Sequence, residues 1–229
     1  MNIFDILGPV MVGPSSSHTA GAVRIGYVAR KLLQESPIKA HIFFYGSFAT
    51  TGIGHGTDKA VKAGLLGMQP DDIRIPDSFA YAAKENLSYE FDQIELRDAH
   101  PNTVLLELTG AKGRKLQVQA SSLGGGRIMI NKLDGIEVNF TAEKPTLIVH
   151  NQDQPGHVAE VTSMLSHKAI NIATMQLYRA SRGGNAVMVI ECDQEIPKES
   201  IKWLSHLEGV EKVTYYSLLD GGNEEDELS

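Results

Sequence analysis

The dipeptide Lys144-Pro145 divides the chain, because proline halts regular structure and a new pattern starts immediately after it. Six segments follow: a strand over 146–150, a helix over 156–168, strands over 171–179 and 185–192, a helix over 197–207 and a strand over 210–217. Val158, Val161 and Leu165 share one helical face, as do Ile201, Leu204 and Leu207. Pro197 is placed to open the second helix, and Arg182-Gly183-Gly184 supplies a tight turn between the middle strands. The order βαββαβ over 146–219 predicts a ferredoxin-like unit, a fold that by itself says little about function.

Residues 1–143 alternate the two periodicities. Ala22, Ile25, Gly26, Ala29, Leu32 and Leu33 recur at helical spacing. A short aromatic strand over 41–45 and a glycine-rich loop follow, then a helix over 58–66 ended by Gly67 and another over 77–87. Strands are expected over 89–96, 103–108, 115–120 and 127–132, the last two paired around Gly124-Gly125-Gly126. The whole is expected to be α/β (α+β), with a mixed-sheet N-terminal domain over 1–143 and a second domain over 146–219.

Composition narrows the function. Of the net charge of −7, Asp220, Glu224, Glu225, Asp226 and Glu227 supply five units, within an acidic tail (220–229) expected to be disordered. The nearly balanced remainder recommends neither nucleic acid nor an anionic membrane as partner. No apolar run approaches eighteen residues and the N-terminus lacks the pattern of a secretory signal, which points to the cytoplasm. Cys192 is the only cysteine. One cysteine forbids an internal disulfide and a complete iron–sulfur site, and its apolar surroundings read as a buried strand.

Four polar stations stand out in the first domain. Ser15, Ser16, Ser17, His18 and Thr19 precede the first helical pattern, where free N–H groups and the helix dipole attract a carboxylate or phosphate. An N-cap accounts for one of these hydroxyls, not for four and a histidine. His55 stands between Gly54 and Gly56, suited to proton transfer if the backbone approaches a ligand, and otherwise a plain loop histidine. Thr57 occupies the place of the third glycine of a dinucleotide fingerprint, so nucleotide binding is discounted. His100-Pro101-Asn102 is either a turn or part of a site, and Gly124, Gly125 and Gly126 form either a hairpin connection or an anion-binding nest. Asn151-Gln152-Asp153-Gln154-Pro155-Gly156 leads from strand to helix in the second domain, a polar turn or the border of a ligand pocket.

The motifs GPSSSHTAG, GHGTD, HPN and SLGGGRI, in this order, resemble the β part of the iron–sulfur-dependent L-serine dehydratases, and residues 146–219 resemble an ACT domain. The resemblance implies a β subunit that, with an α subunit bearing the cysteines of a [4Fe-4S] cluster, converts L-serine to pyruvate and ammonia for gluconeogenesis. It implies catalytic roles for His55, His100 and Asn102. Substrate contacts would come from Ser15, Ser16, Ser17, His18, Thr19 and the glycines 124–126. Asn151, Gly156 and Asn171 match ACT positions that contact a ligand, and the ACT domain would mediate self-association. This chain would ligate no metal. The alternative is a non-catalytic, serine-sensing regulatory subunit. His41, His150, His157, His167 and His206 match none of these motifs.

Overall fold

The computed structural model describes residues 12–179 and 181–219, apart from the side chain of Ile53. The chain divides into two compact units, the first ending at Thr141 and the second starting at Ala142. The acidic tail lies outside the described residues.

The first unit opens with a π-helical turn, Ser16–Gly21, running into α1 (Ala22–Leu33). Then come β1 (Pro37–Gly46), α2 (Ser47–His55), α3 (Thr57–Leu65), a 3₁₀ turn (Ile75–Asp77), α4 (Ser78–Lys84) and β2 (Ser88–Gln93). A meander closes it: β3 (Asn102–Gly110), β4 (Lys115–Gly124), β5 (Arg127–Leu133) and β6 (Ile136–Phe140). The six-stranded sheet has the order β2-β1-β3-β4-β5-β6, with β1 and β2 parallel and every other pair antiparallel. Ala22, Ile25, Ala29, Leu32 and Leu33 are fully buried, as their spacing predicts. Two glycines set how closely the helices pack. A Cβ on Gly26 would lie 2.1 Å from the Val61 carbonyl oxygen, and one on Gly64 would lie 2.0 Å from that of Val23. The backbones of α1 and α3 therefore touch, which explains why both helices tolerate a poor helix former in their interiors.

Lys62 is the anomaly of this core. It is fully buried on α3, with Nζ 3.0 Å from the ring centroid of Phe79 and 3.3 Å from that of Tyr89. Burial pushes its amine down to about 7, against a smaller upward pull from Asp58. The rings give the ammonium a partial substitute for water and tie α3 to α4 and β2.

The second unit comprises β7 (Thr146–Gln152), α5 (His157–His167), β8 (Ile172–Arg179), β9 (Asn185–Cys192), α6 (Lys198–Leu204) and β10 (Val210–Tyr216). Its sheet has the order β10-β7-β9-β8, antiparallel throughout. Leu147, Val149, Met188, Ile190 and Cys192 pack with Val161, Leu165 and Leu204 in its core. Three expectations need correction. Val158 is 40% exposed rather than on the buried face. Pro197 is the N-cap of α6, with extended ψ, not its first helical residue. The expected loop over 50–58 of the first unit is helical, formed by the end of α2 and the start of α3. Strand β6 had no counterpart in the sequence reading.

Candidate active site

The four polar stations of the first unit meet at one end of its sheet. Register accounts for this. Gly46, closing β1, pairs with Asn102, which opens β3; Thr103 pairs with Ser121, and Gly124 with Arg127 across the β4–β5 turn. The HPN turn, the glycine turn and the start of α2 are thus neighbours across three strands, and the hydroxyl cluster joins them through hydrogen bonds.

Ser15 is the N-cap of the π-helical turn, its Oγ accepting from the His18 N–H at 3.1 Å. Capping therefore explains this one hydroxyl. Ser16 Oγ accepts from the Gly125 N–H at 3.3 Å, which links the cluster to the glycine turn. Ser17 Oγ lies 3.2 Å from His18 Nδ1 and 3.3 Å from Ser15 Oγ. Thr19 is buried and its hydroxyl has no partner among the described residues, which is also true of Ser122 and Thr57. A Cβ on Gly21 would sit 2.0 Å from Ser122 Oγ, so the helix start presses directly on β4.

His18 is the most constrained of these groups. Its Nε2 lies 3.0 Å from Ser47 Oγ and 3.3 Å from Thr51 Oγ1, both on α2. Its ring meets Phe48 edge-on at 5.3 Å and lies 5.1 Å from the ring of His55. Burial pulls its pKa below the usual imidazole value, the charge of His55 adds to that, and a hydrogen bond to the Ser47 backbone opposes both. His55 closes α2 and is exposed, with no hydrogen-bond partner among the described residues.

Ser47 and Thr51 were missed by sequence reasoning. The glycines at 46, 52, 54 and 56 suggested a loop, and that reading hid the spacing. Ser47, Thr51 and His55 stand at i, i+4 and i+8, one ridge of a helix. The helix forms because its first N–H is satisfied from outside, Ser47 donating to the Pro101 carbonyl at 2.8 Å. Gly46 makes that approach possible, with φ +58 and only 2.6 Å between a hypothetical Cβ and the Pro101 oxygen. The HPN turn is therefore structural as well as a candidate for chemistry.

Within that turn, His100 Nδ1 accepts from the Asn102 N–H at 3.1 Å, which leaves Nε2 as the proton-bearing atom of the neutral ring. His100 is exposed. Thr103 Oγ1 donates to the His100 carbonyl at 2.6 Å and lies 2.8 Å from Ser121 Oγ, which in turn donates to Asn131 Oδ1 at 2.7 Å. This part-buried chain anchors the turn to β4 and β5. Gly124, Gly125 and Gly126 all have positive φ, and Gly125-Gly126 is the two-residue loop of the β4–β5 hairpin. A nest there has one amide, that of Gly125, already engaged by Ser16.

The second unit does not gather its candidates. Asn151, on β7, pairs with Ala186, whereas Asn171 immediately precedes Ile172, which pairs with Cys192. Six residues of β9 separate the two levels, roughly 20 Å at strand rise. Asn151 is buried and donates to the Gln152 carbonyl at 2.6 Å, and Gly156 starts α5 with φ +109. Asn171 donates to Asp193 at 2.6 Å, at the opposite end of the sheet. A groove of about 590 Å³ between α5 and α6, floored by Met164 and Trp203, contains none of the three. Among the described residues no set of three His, Cys, Asp or Glu side chains gathers to hold a metal ion. No helix among them is long and apolar enough to cross a membrane.

The family model described as the serine dehydratase beta chain matches residues 2–133, the unit that carries the converged site. The chain is 41% identical over 213 residues to the probable L-serine dehydratase beta chain of Bacillus subtilis, covering 93% of this chain and 96% of that one. It is 37% identical over 212 residues to the L-serine dehydratase beta chain of Peptoniphilus asaccharolyticus, covering 92% and 94%. It is also 28% identical over 201 residues to the D-3-phosphoglycerate dehydrogenase of Methanocaldococcus jannaschii, covering 86% of this chain and 37% of that protein.

Proposed function

Because the chain belongs to the serine dehydratase beta-chain family, we propose that it is the β subunit of a two-chain, [4Fe-4S] L-serine dehydratase that acts in the cytoplasm. A beta chain implies a partner subunit. The observation that carries the reading is the convergence of four family-matched motifs on one sheet end, with two imidazoles 5.1 Å apart.

This chain's own residues do not fit a cluster. Cys192 is fully buried in β9, and burial pushes its thiol up to about 11, whereas a cluster needs several thiolates. The cysteines are therefore assigned to the α chain. The present chain binds and handles protons. The start of the helix at Ser15–Thr19 offers N–H groups and hydroxyls to the substrate carboxylate. His55, exposed and without a hydrogen-bond partner among the described residues, takes the Cα proton. His100, with its proton on Nε2, serves as a donor, and Asn102 stands beside it at the start of β3. Loss of the proton and the β-hydroxyl gives aminoacrylate, which hydrolyses to pyruvate and ammonia.

In this proposal residues 146–219 form an ACT domain that mediates self-association, with β8 and β10 as its open sheet edges. Since Asn151 and Asn171 lie at opposite sheet ends, a ligand there engages only one end of a given copy. The test is anaerobic purification with the cysteine-bearing chain and assay of pyruvate formation. Activity of the pair that disappears on removing this chain supports catalysis; undiminished activity of the partner alone overturns it.

A further inference from the structure

The hydrogen bonds around His18 determine where its proton sits. Thr51 Oγ1 is 2.9 Å from the Ser47 carbonyl oxygen, which can only accept, so the single hydroxyl proton of Thr51 is committed there. Towards His18, Thr51 therefore offers only lone pairs. A bare Nε2 would face those lone pairs at 3.3 Å, a repulsive contact; a protonated Nε2 donates both to Thr51 and to Ser47 Oγ at 3.0 Å. On the other side of the ring, Nδ1 has Ser17 Oγ at 3.2 Å. With the proton on Nε2, the Nδ1 lone pair accepts the Ser17 hydroxyl proton. The Ser17 oxygen then accepts from the Ser15 hydroxyl at 3.3 Å and keeps one lone pair for a ligand.

We propose that Ser47 and Thr51 are positioning residues that lock His18 in the Nε2–H tautomer, so that Ser17 presents an acceptor to the site and His55 is the imidazole left free to exchange a proton. The proposal rests on the reading of this sheet end as a substrate site. It changes what that site recognises. A hydroxyl whose proton points into the ring suits a donor, such as the ammonium of an amino acid, while the carboxylate is left to the backbone N–H groups of the helix start. The recognition is then polar at both ends, an α-amino acid rather than a simple carboxylic acid. It also separates the two close histidines by role: among the described residues His18 is held by three hydroxyls, and His55 by none.

The experiment is long-range ¹H–¹⁵N correlation of the full-length chain labelled at histidine, with the His18 signals assigned by their loss in His18→Gln. The expected spectrum near neutral pH has a pyrrole-type Nε2 and a pyridine-type Nδ1 at His18. In Thr51→Val and Ser47→Ala that preference weakens, and Thr51→Ser, which keeps the hydroxyl, restores it. An Nδ1–H ring in the wild-type chain overturns the proposal, as does an unchanged tautomer in the doubly substituted chain. The wild-type spectrum alone decides if a variant fails to fold. Because the readout needs no turnover, a complex that fails to deaminate serine strikes the proposed function and not the tautomer. Within an active complex, Thr51→Val is expected to weaken binding of L-serine more than of its desamino analogue, 3-hydroxypropionate; equal losses for both overturn the assignment of Ser17 as acceptor.

Discussion

The two units of this chain treat their polar residues in opposite ways. In the first, candidates from four segments, around residues 15–19, 47–55, 100–102 and 124–126, converge on one sheet end and bond across segments, as in Gly125 to Ser16 and His18 to Ser47. In the second, Asn151 and Asn171 lie at opposite ends of one sheet, and polar groups serve nearby loops. Asp153 accepts from the Gly183 N–H at 3.0 Å and from Arg179 at 3.1 Å, and Asp193 pairs with Lys144 at 2.6 Å. Those bonds hold Asp153 and Asp193 below the usual carboxylate range. Buried polar atoms without a hydrogen-bond partner among the described residues occur in both units, at Thr19, Thr57 and Ser122 in the first and at Asn151 Oδ1, His157 and Ser200 in the second, so convergence rather than unmet bonding separates the two. Convergence across segments marks chemistry; dispersed local pairs mark architecture.

The largest test of that contrast is total. The isolated chain is expected to hold no iron or sulfide and to form no pyruvate, both appearing only with the cysteine-bearing partner; stoichiometric cluster in the lone chain would break the two-subunit reading. Next comes His55→Ala in the complex, expected to reduce turnover by roughly 10² to 10⁴ with the cluster intact. His100→Ala should fall less. Asn151→Ala and His206→Ala, in the second unit, should stay near wild type, and a loss at Asn151 matching that at His55 would erase the distinction between the units. Truncation before residue 146 should lower the number of copies per assembly, obtained from light scattering, while circular dichroism of the first unit persists. An unchanged copy number would remove self-association from the second unit.

Smaller effects separate the units by stability. Gly46→Ala places a Cβ against the Pro101 carbonyl in a left-handed backbone and should cost about 1–3 kcal/mol. Gly183→Ala, with φ +73 but open space, should cost about 1 kcal/mol, seen as a smaller drop in Tm. Lys62→Met should raise stability by about 1–3 kcal/mol near pH 7, since it removes a buried amine that has no hydrogen-bond partner among the described residues. The folded amine titrates at about 7, below its ordinary value of 10.5, so between those values the unfolded chain binds more protons and wild-type stability rises with pH. The advantage of the Met variant should therefore be full at and below pH 7 and fade towards pH 10.5. Denaturation at pH 7 and pH 10 checks the sign, and an advantage that grows with pH would refute it.

Much of this was legible in the chain because it is local. The buried face of α1 followed from spacing, the hairpin from its glycines, and the order of the second unit's elements from short periodic runs bounded by turns. The stretch 47–55 was not legible, because its glycines disfavour a helix when it is read alone. Pro101, half a sheet away in sequence, supplies the acceptor that starts α2, and burial of Phe48 against Phe44 and His18 holds it. The same limit hid β6 and the exposure of Val158, both decided by neighbours rather than by the run itself.

The sequence by itself determined the type of most elements and, through a single cysteine, the need for another chain if a cluster is present. Its motif order also pointed to the family. Only the tertiary structure decided that the hydroxyl cluster, α2, the HPN turn and the glycine turn share one sheet end, and that Ser47 and Thr51 enclose His18. The reason is physical. Periodicity reports which face of an element avoids water, whereas strand register and contacts between segments distant in the chain determine which polar groups meet.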